Sequence, residues 1–428
     1  MADTAGTGRA MKSADSLITH KHPDYRRLFI TATILTSVIA AFGLLASGAL
    51  ANDHSALPEP VTGPEMQLVK SLQEIAESRM DSALSGVEQL LKTNPNFRLA
   101  QLIKGDLLLA RSRPISNMGD TAGLSQQHIT DLREEALARV QHYREPVPRN
   151  MTPKYLVQMP PEQNYAIIAD TSKSRLYIYE NVGGRARYLA DYYISSGKNG
   201  SQKLKEGDKK TPIGVYFVTA NVPREKLTDF YGGAAFPINY PNEWDRRNGR
   251  SGSGIWIHGT PSDTYSRPPR ASDGCVVLAN EDLHTVAKRL QVGITPVIIS
   301  DEIEWIKPGD AGVLRNKLIQ HLENWRRDWE SGNIEAYIGN YGRDFFSGSQ
   351  NLAEWSQHKR QVNSAKNWIK VGIRNIGMFL YPGRDDLMVV NFDQEYSSNN
   401  HSNRIKKRQY WMRESKKGQW KIIYESAV

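Results

Sequence analysis

The 428-residue chain has a single cysteine, Cys275, so neither an intrachain disulfide nor a CxxC redox or metal motif is available to it. Its ten histidines are dispersed, with no HExxH and no Cys/His cluster, which removes the usual zinc arrangements. GxxxxGK[ST] and a strand-linked GxGxxG are both missing, and the chain is expected to work without a cofactor. Acidic residues are the minority, 46 against 55 Lys and Arg, and the net charge of +9 favours anionic surfaces or polymers. The basic residues are scattered and no nucleic-acid motif accompanies them, so anionic lipid or an acidic polymer is expected rather than nucleic acid. Otherwise the composition is ordinary: 24% charged and 39% apolar residues suit a globular chain long enough for two or three domains.

Charge is absent from one long stretch. Residues 28–51 follow Lys12, Lys21, Arg26 and Arg27 and carry no charged side chain. Such a run exceeds the roughly 20 residues needed to cross a ~30 Å bilayer core. It ends in Ala49-Leu50-Ala51, a small-residue pattern of the kind signal peptidases cleave. Positive charge ahead of it places residues 1–27 in the cytoplasm and the body of the chain outside. A retained anchor and a cleaved signal both stay open; the length favours the anchor.

Beyond a Pro- and Ala-rich linker, residues 52–150 read as helical. Leu68, Leu72, Ile75 and Ala76 form one apolar stripe, and Leu84, Val87, Leu90 and Leu91 a second. After the Asn94-Pro95 break, Leu99, Leu102, Leu107 and Leu108 form a third, and a further helix is expected over residues 131–142. Tetratricopeptide-type hairpins and a plain antiparallel spacer or dimerisation pair are equally compatible with this pattern. Residues 160–303 change texture to short strands separated by Gly, Asn, Asp and Pro clusters, with one helix over 280–290. A mainly β domain of non-parallel strands is expected there. Its Gly-rich, aromatic segment 223–253 is a candidate lid, with Trp244 and Trp256 weighed as cleft or core. Residues 310–428 open with helices pairing Trp325 with Trp329 and Tyr337 with Tyr341 at i, i+4, then alternate like an antiparallel sheet. The expected fold is multidomain α+β: helical hairpins, a central mainly β domain, and a C-terminal α+β cone.

Two segments carry reactive side chains: Gly254-Ile-Trp-Ile-His-Gly-Thr-Pro261 and Ala271-Ser-Asp-Gly-Cys-Val-Val-Leu278. A thiol attacks only once ionised, so its proton must pass to a neighbouring base. His258 at one strand end and Cys275 at another strand start are placed to meet across a sheet. The glycine before Cys275 permits a tight turn with backbone N–H groups of Gly274 and Cys275 left for an oxyanion. The Gly259 carbonyl is a candidate to orient the imidazole. A buried, inert cysteine beside an unrelated histidine fits the spacing equally well.

These segments resemble the signature of the L,D-transpeptidase catalytic domain (YkuD) family, HGT followed after a spacer by S-x-G-C. Residues 205–218, K-x-G-D-x-K-T-P-x-G-x-Y, are similar to that family's upstream stretch, and Gly197-Lys198-Asn199-Gly200 precedes them. The resemblance covers about residues 164–300. It implies a β-rich fold whose cysteine attacks the L–D bond after diaminopimelate in a peptidoglycan tetrapeptide stem, passing the acyl group to an amine or to water. It makes Cys275 the nucleophile, His258 the general base, Gly259 the orienting carbonyl and Gly274 an oxyanion donor. Ser272, Asp273, Thr260 and Lys205 are the implied substrate-facing residues; for the lysines 205, 209 and 210 a solvated turn is the plainer reading. Two positions depart from the common pattern: Asp273 stands where histidine is frequent, and Val277 where arginine is. This departure points to the divergent Gram-negative branch, with its carboxypeptidases and lipoprotein-releasing enzymes. Residues 310–428 resemble a nuclear-transport-factor-2-like (NTF2-like, SnoaL-like) domain, as in cell-shape-determining L,D-carboxypeptidases. The implied setting is the periplasm. The implied partners are stem peptides, the membrane through the N-terminal segment, and a wall lipoprotein or second copy as further candidates. A non-catalytic wall-binding scaffold is the competing class.

Overall fold

The computed structural model describes residues 63–120, 125–148, 150–413, 415 and 418–428. The expected span at 28–51 lies outside the described residues; among those, no helix is long and apolar enough to cross a membrane. The chain from Arg79 onward packs as one compact unit.

Helices Pro64–Ala76, Met80–Thr93, Arg98–Ala110 and Gln126–Arg144 form the N-terminal region. Leu84, Val87 and Leu90 on one helix meet Leu99, Ile103 and Leu107 on the next, as their i, i+3/i+4 spacing dictates. The fourth helix starts at Gln126, earlier than expected, because Ser125 caps it by accepting the His128 N–H at 3.3 Å.

The central region holds a five-stranded sheet and a three-stranded one. In the larger sheet Tyr165–Asp170 lies between Arg175–Val182 and Pro296–Ser300. The expectation of non-parallel strands fails three times: Pro296–Ser300 runs parallel to Tyr165–Asp170, Val276–Val277 to Trp256–His258, and Arg270–Ser272 to Ser196–Gly197. The chain between each parallel pair is long enough to cross over, through residues 171–295, 259–275 and 198–269 respectively. The helix Asn280–Ala287 follows the second crossover and packs Leu283 and Val286 into the core between the sheets.

The C-terminal region wraps Pro308–Glu330, Ile334–Ile338 and Leu352–Ser364 onto long strands Ile369–Leu380, Leu387–Ser398, Ser402–Arg413 and Trp420–Ala427. The ring pairs expected from spacing pack inside this cone, with Trp325 and Trp329 centroids 5.4 Å apart and Tyr337 and Tyr341 at the same distance.

The boundaries are less clean than the sequence suggests. Leu156–Gln158, which precedes the central domain, joins the C-terminal sheet through Met378↔Gln158 and Phe379↔Leu156. Thr152–Pro153 pairs with Trp305–Ile306 on the other side of that domain. One face of the central sheet, including Ile168, Tyr179, Val215 and Phe217, shares a continuous core with Met378, Phe379 and Leu380.

Candidate active site

Cys275 sits in the turn between Arg270–Ser272 and Val276–Val277. Gly274 has φ +128°, and a Cβ there would come within 2.8 Å of the Lys210 carbonyl, so the turn requires glycine. Ser272 Oγ donates to the Cys275 carbonyl at 2.6 Å and accepts the Gly274 N–H at 3.1 Å. Thr211, from the upstream stretch, braces the turn: its hydroxyl donates to the Gly274 carbonyl at 3.0 Å and accepts the Gly197 N–H at 2.8 Å.

The parallel register Val276↔Ile257 and Val277↔His258 sets Cys275 alongside Trp256. Side chains alternate along strands, so Cys275 and His258 are diagonal neighbours on one face. The thiol is half-buried and donates to the Gly254 carbonyl at 3.3 Å. Burial pushes the Cys275 pKa up, while the Trp256 N–H and the Arg267 guanidinium favour the thiolate.

His258 is buried, and its Nδ1 is 2.7 Å from the Gly259 carbonyl. A carbonyl only accepts, so Nδ1 carries the proton and Nε2 is the basic nitrogen. Burial drives the His258 pKa down to about 4, with the Gly259 carbonyl opposing and Arg267 adding to the fall. The resting pair is therefore a neutral thiol beside a neutral imidazole. Gly259 is held by its N–H donating to Tyr231 O at 2.9 Å. A Cβ on it would collide with Asn280 Oδ1. That side chain fastens the loop, donating through Nδ2 to the Thr260 carbonyl at 2.8 Å and accepting the Gly233 N–H at 3.0 Å.

Aromatic rings wall the imidazole. Phe230 and Tyr231 lie 5.8 and 5.2 Å from it, and Tyr231 is 4.7 Å from Trp256. These two rings come from the turn Asp229–Tyr231, anchored where Asp229 Oδ2 accepts the Ser262 N–H and hydroxyl, each at 3.1 Å. The expected lid is thus divided. The Asp229–Tyr231 turn serves the cleft, whereas the helix Glu243–Arg247 faces the C-terminal region, with Trp244 buried 6.5 Å from Tyr381.

Of the residues named from sequence, Cys275, His258, Gly259, Gly274 and Ser272 are brought together. Gly274 does not present a free oxyanion donor, because its N–H is bonded to Ser272; among the described residues the Cys275 N–H has no acceptor and is available as a donor beside the thiol. Thr260 is buried with its hydroxyl donating to the Tyr265 carbonyl at 3.3 Å, so it holds the loop and does not line the cleft. Asp273 is exposed and lies 3.2 Å from Lys198 Nζ. Lys205 is exposed, its N–H donating to Asp208 in a surface turn. The cation felt at the thiol from this stretch is Lys203, buried with Nζ 2.7 Å from Asp208. Sequence reasoning passed over Lys203 and Arg267: neither sits in a motif, and their positions depend on long loops.

Residues 164–299 match the model of the L,D-transpeptidase catalytic domain (YkuD), and residues 317–426 that of the Cds6 C-terminal NTF2-like domain. YafK of Escherichia coli K12, which bears an L,D-transpeptidase name, is 27% identical over 157 residues, a match covering 36% of this chain and 58% of YafK. The structure of Bd1075 of Bdellovibrio bacteriovorus aligns with a TM-score of 0.58 at 29% identity, covering 65% of this chain and 98% of that one. The helical cell shape determining protein Pgp2 of Campylobacter jejuni aligns at 0.52 with 25% identity, covering 64% of this chain and 95% of that one. With the Cys275 turn, the His258 strand and the helix-lined cone in place, these matches show what the parts are: the chain carries an L,D-transpeptidase catalytic domain of the YkuD family followed by a Cds6-type NTF2-like domain.

Proposed function

We propose that the chain is a periplasmic cysteine acyltransferase cutting the L–D bond after diaminopimelate in peptidoglycan tetrapeptide stems. The supporting observation is the neutral His258 with Nδ1 fixed on the Gly259 carbonyl, on the same face as the Cys275 thiol. His258 Nε2 takes the thiol proton as sulfur attacks the diaminopimelate carbonyl carbon. The Cys275 N–H donates to the resulting oxyanion. Collapse breaks the C–N bond, the imidazolium returns its proton to the departing D-alanine amine, and a thioester remains on Cys275. An amine acceptor yields a new cross-link and water yields a tripeptide; His258 accepts the acceptor's proton in either case. A role in cell shape rests on the similarity to Pgp2.

Incubating the purified chain with isolated sacculi and resolving the products by mass tests this. Tripeptide stems mean hydrolysis, stems joined between two diaminopimelates mean transpeptidation, and freed protein means lipoprotein release. Cys275→Ala is expected to abolish every product. An unchanged product profile in that variant would sink the enzyme reading and leave a wall-binding scaffold.

A further inference from the structure

Between His258 and Cys275 the chain passes beneath the N-terminal helices, which hold it at several points. Asn96 Nδ2 donates to the Ser262 carbonyl at 3.0 Å, and the Tyr265 N–H donates to the Asn96 carbonyl at 3.2 Å. The rings of Phe97 and Tyr265 lie 4.3 Å apart. Ser266 Oγ donates to Glu135 at 2.6 Å, and Tyr193 OH donates to the Arg267 carbonyl at 3.0 Å. Arg267 is thus a fixed point of this loop.

Its side chain turns to the thiol cleft. The guanidinium carbon lies 4.8 Å from the Phe230 ring, and that ring lies 5.8 Å from the His258 imidazole. Yet among the described residues no carboxylate is within ion-pair distance of Arg267 and no acceptor takes its N–H groups. Asp273 is near enough to act on it electrostatically, but that carboxylate is engaged by Lys198. A half-buried guanidinium lying over a ring face and lacking an anion keeps its N–H groups available for one. Its planar fork matches a carboxylate through two parallel hydrogen bonds.

The scissile bond of a tetrapeptide stem is followed by one residue, whose α-carboxylate is two bonds from the departing nitrogen. We propose that Arg267 binds this terminal carboxylate, making the site selective for stems with a free C-terminus over stems whose end is capped or cross-linked. This rests on the acyl-transfer reading above and names the substrate class of that same site.

The test compares the purified full chain acting on a tetrapeptide muropeptide and on the same compound with a C-terminal carboxamide. The wild type is expected to prefer the acid by about 10- to 100-fold in kcat/KM, the range for a charge-assisted pair. Arg267→Gln is expected to bring the acid-to-amide ratio close to one, with the loss mainly in KM. Arg267→Lys, which keeps the charge without the fork, is expected to fall between and serves if the glutamine variant does not fold. The ratio separates carboxylate binding from thiolate stabilisation, which would lower both substrates together. A wild type indifferent to the amide, or a ratio unchanged in both variants, overturns the inference while the acyl-transfer reading stands. No turnover of either substrate by the wild type overturns both.

Discussion

At the scale of single residues, the chemistry depends on His258 being neutral. With its pKa near 4, kcat/KM is expected to stay level from about pH 5 to 7 and to fall only as the pH approaches 4. An acid limb near 6.5, the ordinary imidazole value, would show that His258 is solvated in the working enzyme. The same shift bears on stability. Below about pH 6.5 the unfolded chain takes up a proton that the folded chain refuses. Stability linked to His258 is therefore fully present above 6.5 and is lost as the pH drops to about 4. Keeping the imidazole neutral down to about pH 4 corresponds to roughly 3 kcal/mol. His258→Gln is expected to remove that part of the pH dependence, as read by urea unfolding at pH 7 and pH 4.5. Equal slopes for both proteins would contradict the buried neutral form.

At the scale of elements, the helical region is tied to the catalytic sheet by buried ion pairs. Arg139, buried on the helix Gln126–Arg144, bonds Glu135 at 2.9 Å and reaches Glu65 at 3.3 Å, with its guanidinium 3.9 Å from the Tyr193 ring centroid. Arg175, fully buried on the catalytic sheet, pairs with Asp191 and Glu65, and His142 lies 2.9 Å from Asp191. Burial works against the Asp191 carboxylate, but Arg175 and His142 hold its pKa well below the usual range. Arg139→Leu leaves Glu135 buried beside Ser266 without its cation, at an expected cost of about 3–5 kcal/mol in urea unfolding. Because Ser266 hangs from Glu135 and precedes Arg267, kcat/KM at a temperature where the variant is folded should fall as well. Destabilisation with turnover intact would show that the helices merely dock and do not position the loop.

At the scale of the molecule, the catalytic and NTF2-like regions are not beads on a string. Phe217 meets Phe379 at 6.0 Å across their shared core, and Asn242 Nδ2 bridges the Val215 carbonyl and the Tyr381 hydroxyl at 3.1 and 3.2 Å. Arg408 lies with its guanidinium 4.4 Å from the Phe217 ring, and Tyr410 OH is 3.1 Å from Glu243. Two sheets with one core should unfold together. Phe379→Ala is expected to lose about 3–5 kcal/mol and to lower the melting temperature of both regions equally. Tryptophan fluorescence is weighted toward the cone, which holds Trp325, Trp329, Trp355 and Trp411, and loss of turnover follows the catalytic domain. Midpoints that separate in the variant would mean the contact is incidental.

Local patterns carried much of this in the sequence itself. The helical stripes, the ring pairs at i, i+4 and the glycine turn before Cys275 are short-range features, set by side-chain periodicity and by backbone angles open only to glycine. They placed the three regions in order and put His258 and Cys275 at strand ends; their roles as base and nucleophile came from the resemblance to the YkuD family. What the tertiary structure alone decided involves residues far apart in the chain. Ser266 and Glu135 are 131 positions apart, and no local rule links them. The strand Leu156–Gln158 precedes the catalytic domain in the chain, but pairs with the C-terminal sheet more than 200 residues away, at Met378 and Phe379. Gly274 was legible as a turn residue. That its N–H is taken by Ser272, leaving Cys275's own N–H as donor, depends on one side-chain rotamer that the folded turn selects. The proposed pair, Cys275 and His258, was marked in the sequence by strand ends, a glycine turn and a family motif, all of them local. The groups that tune it, Arg267, Lys203 and the helical clamp, were settled by packing, because burial and charge at a site are sums over everything that folds around it.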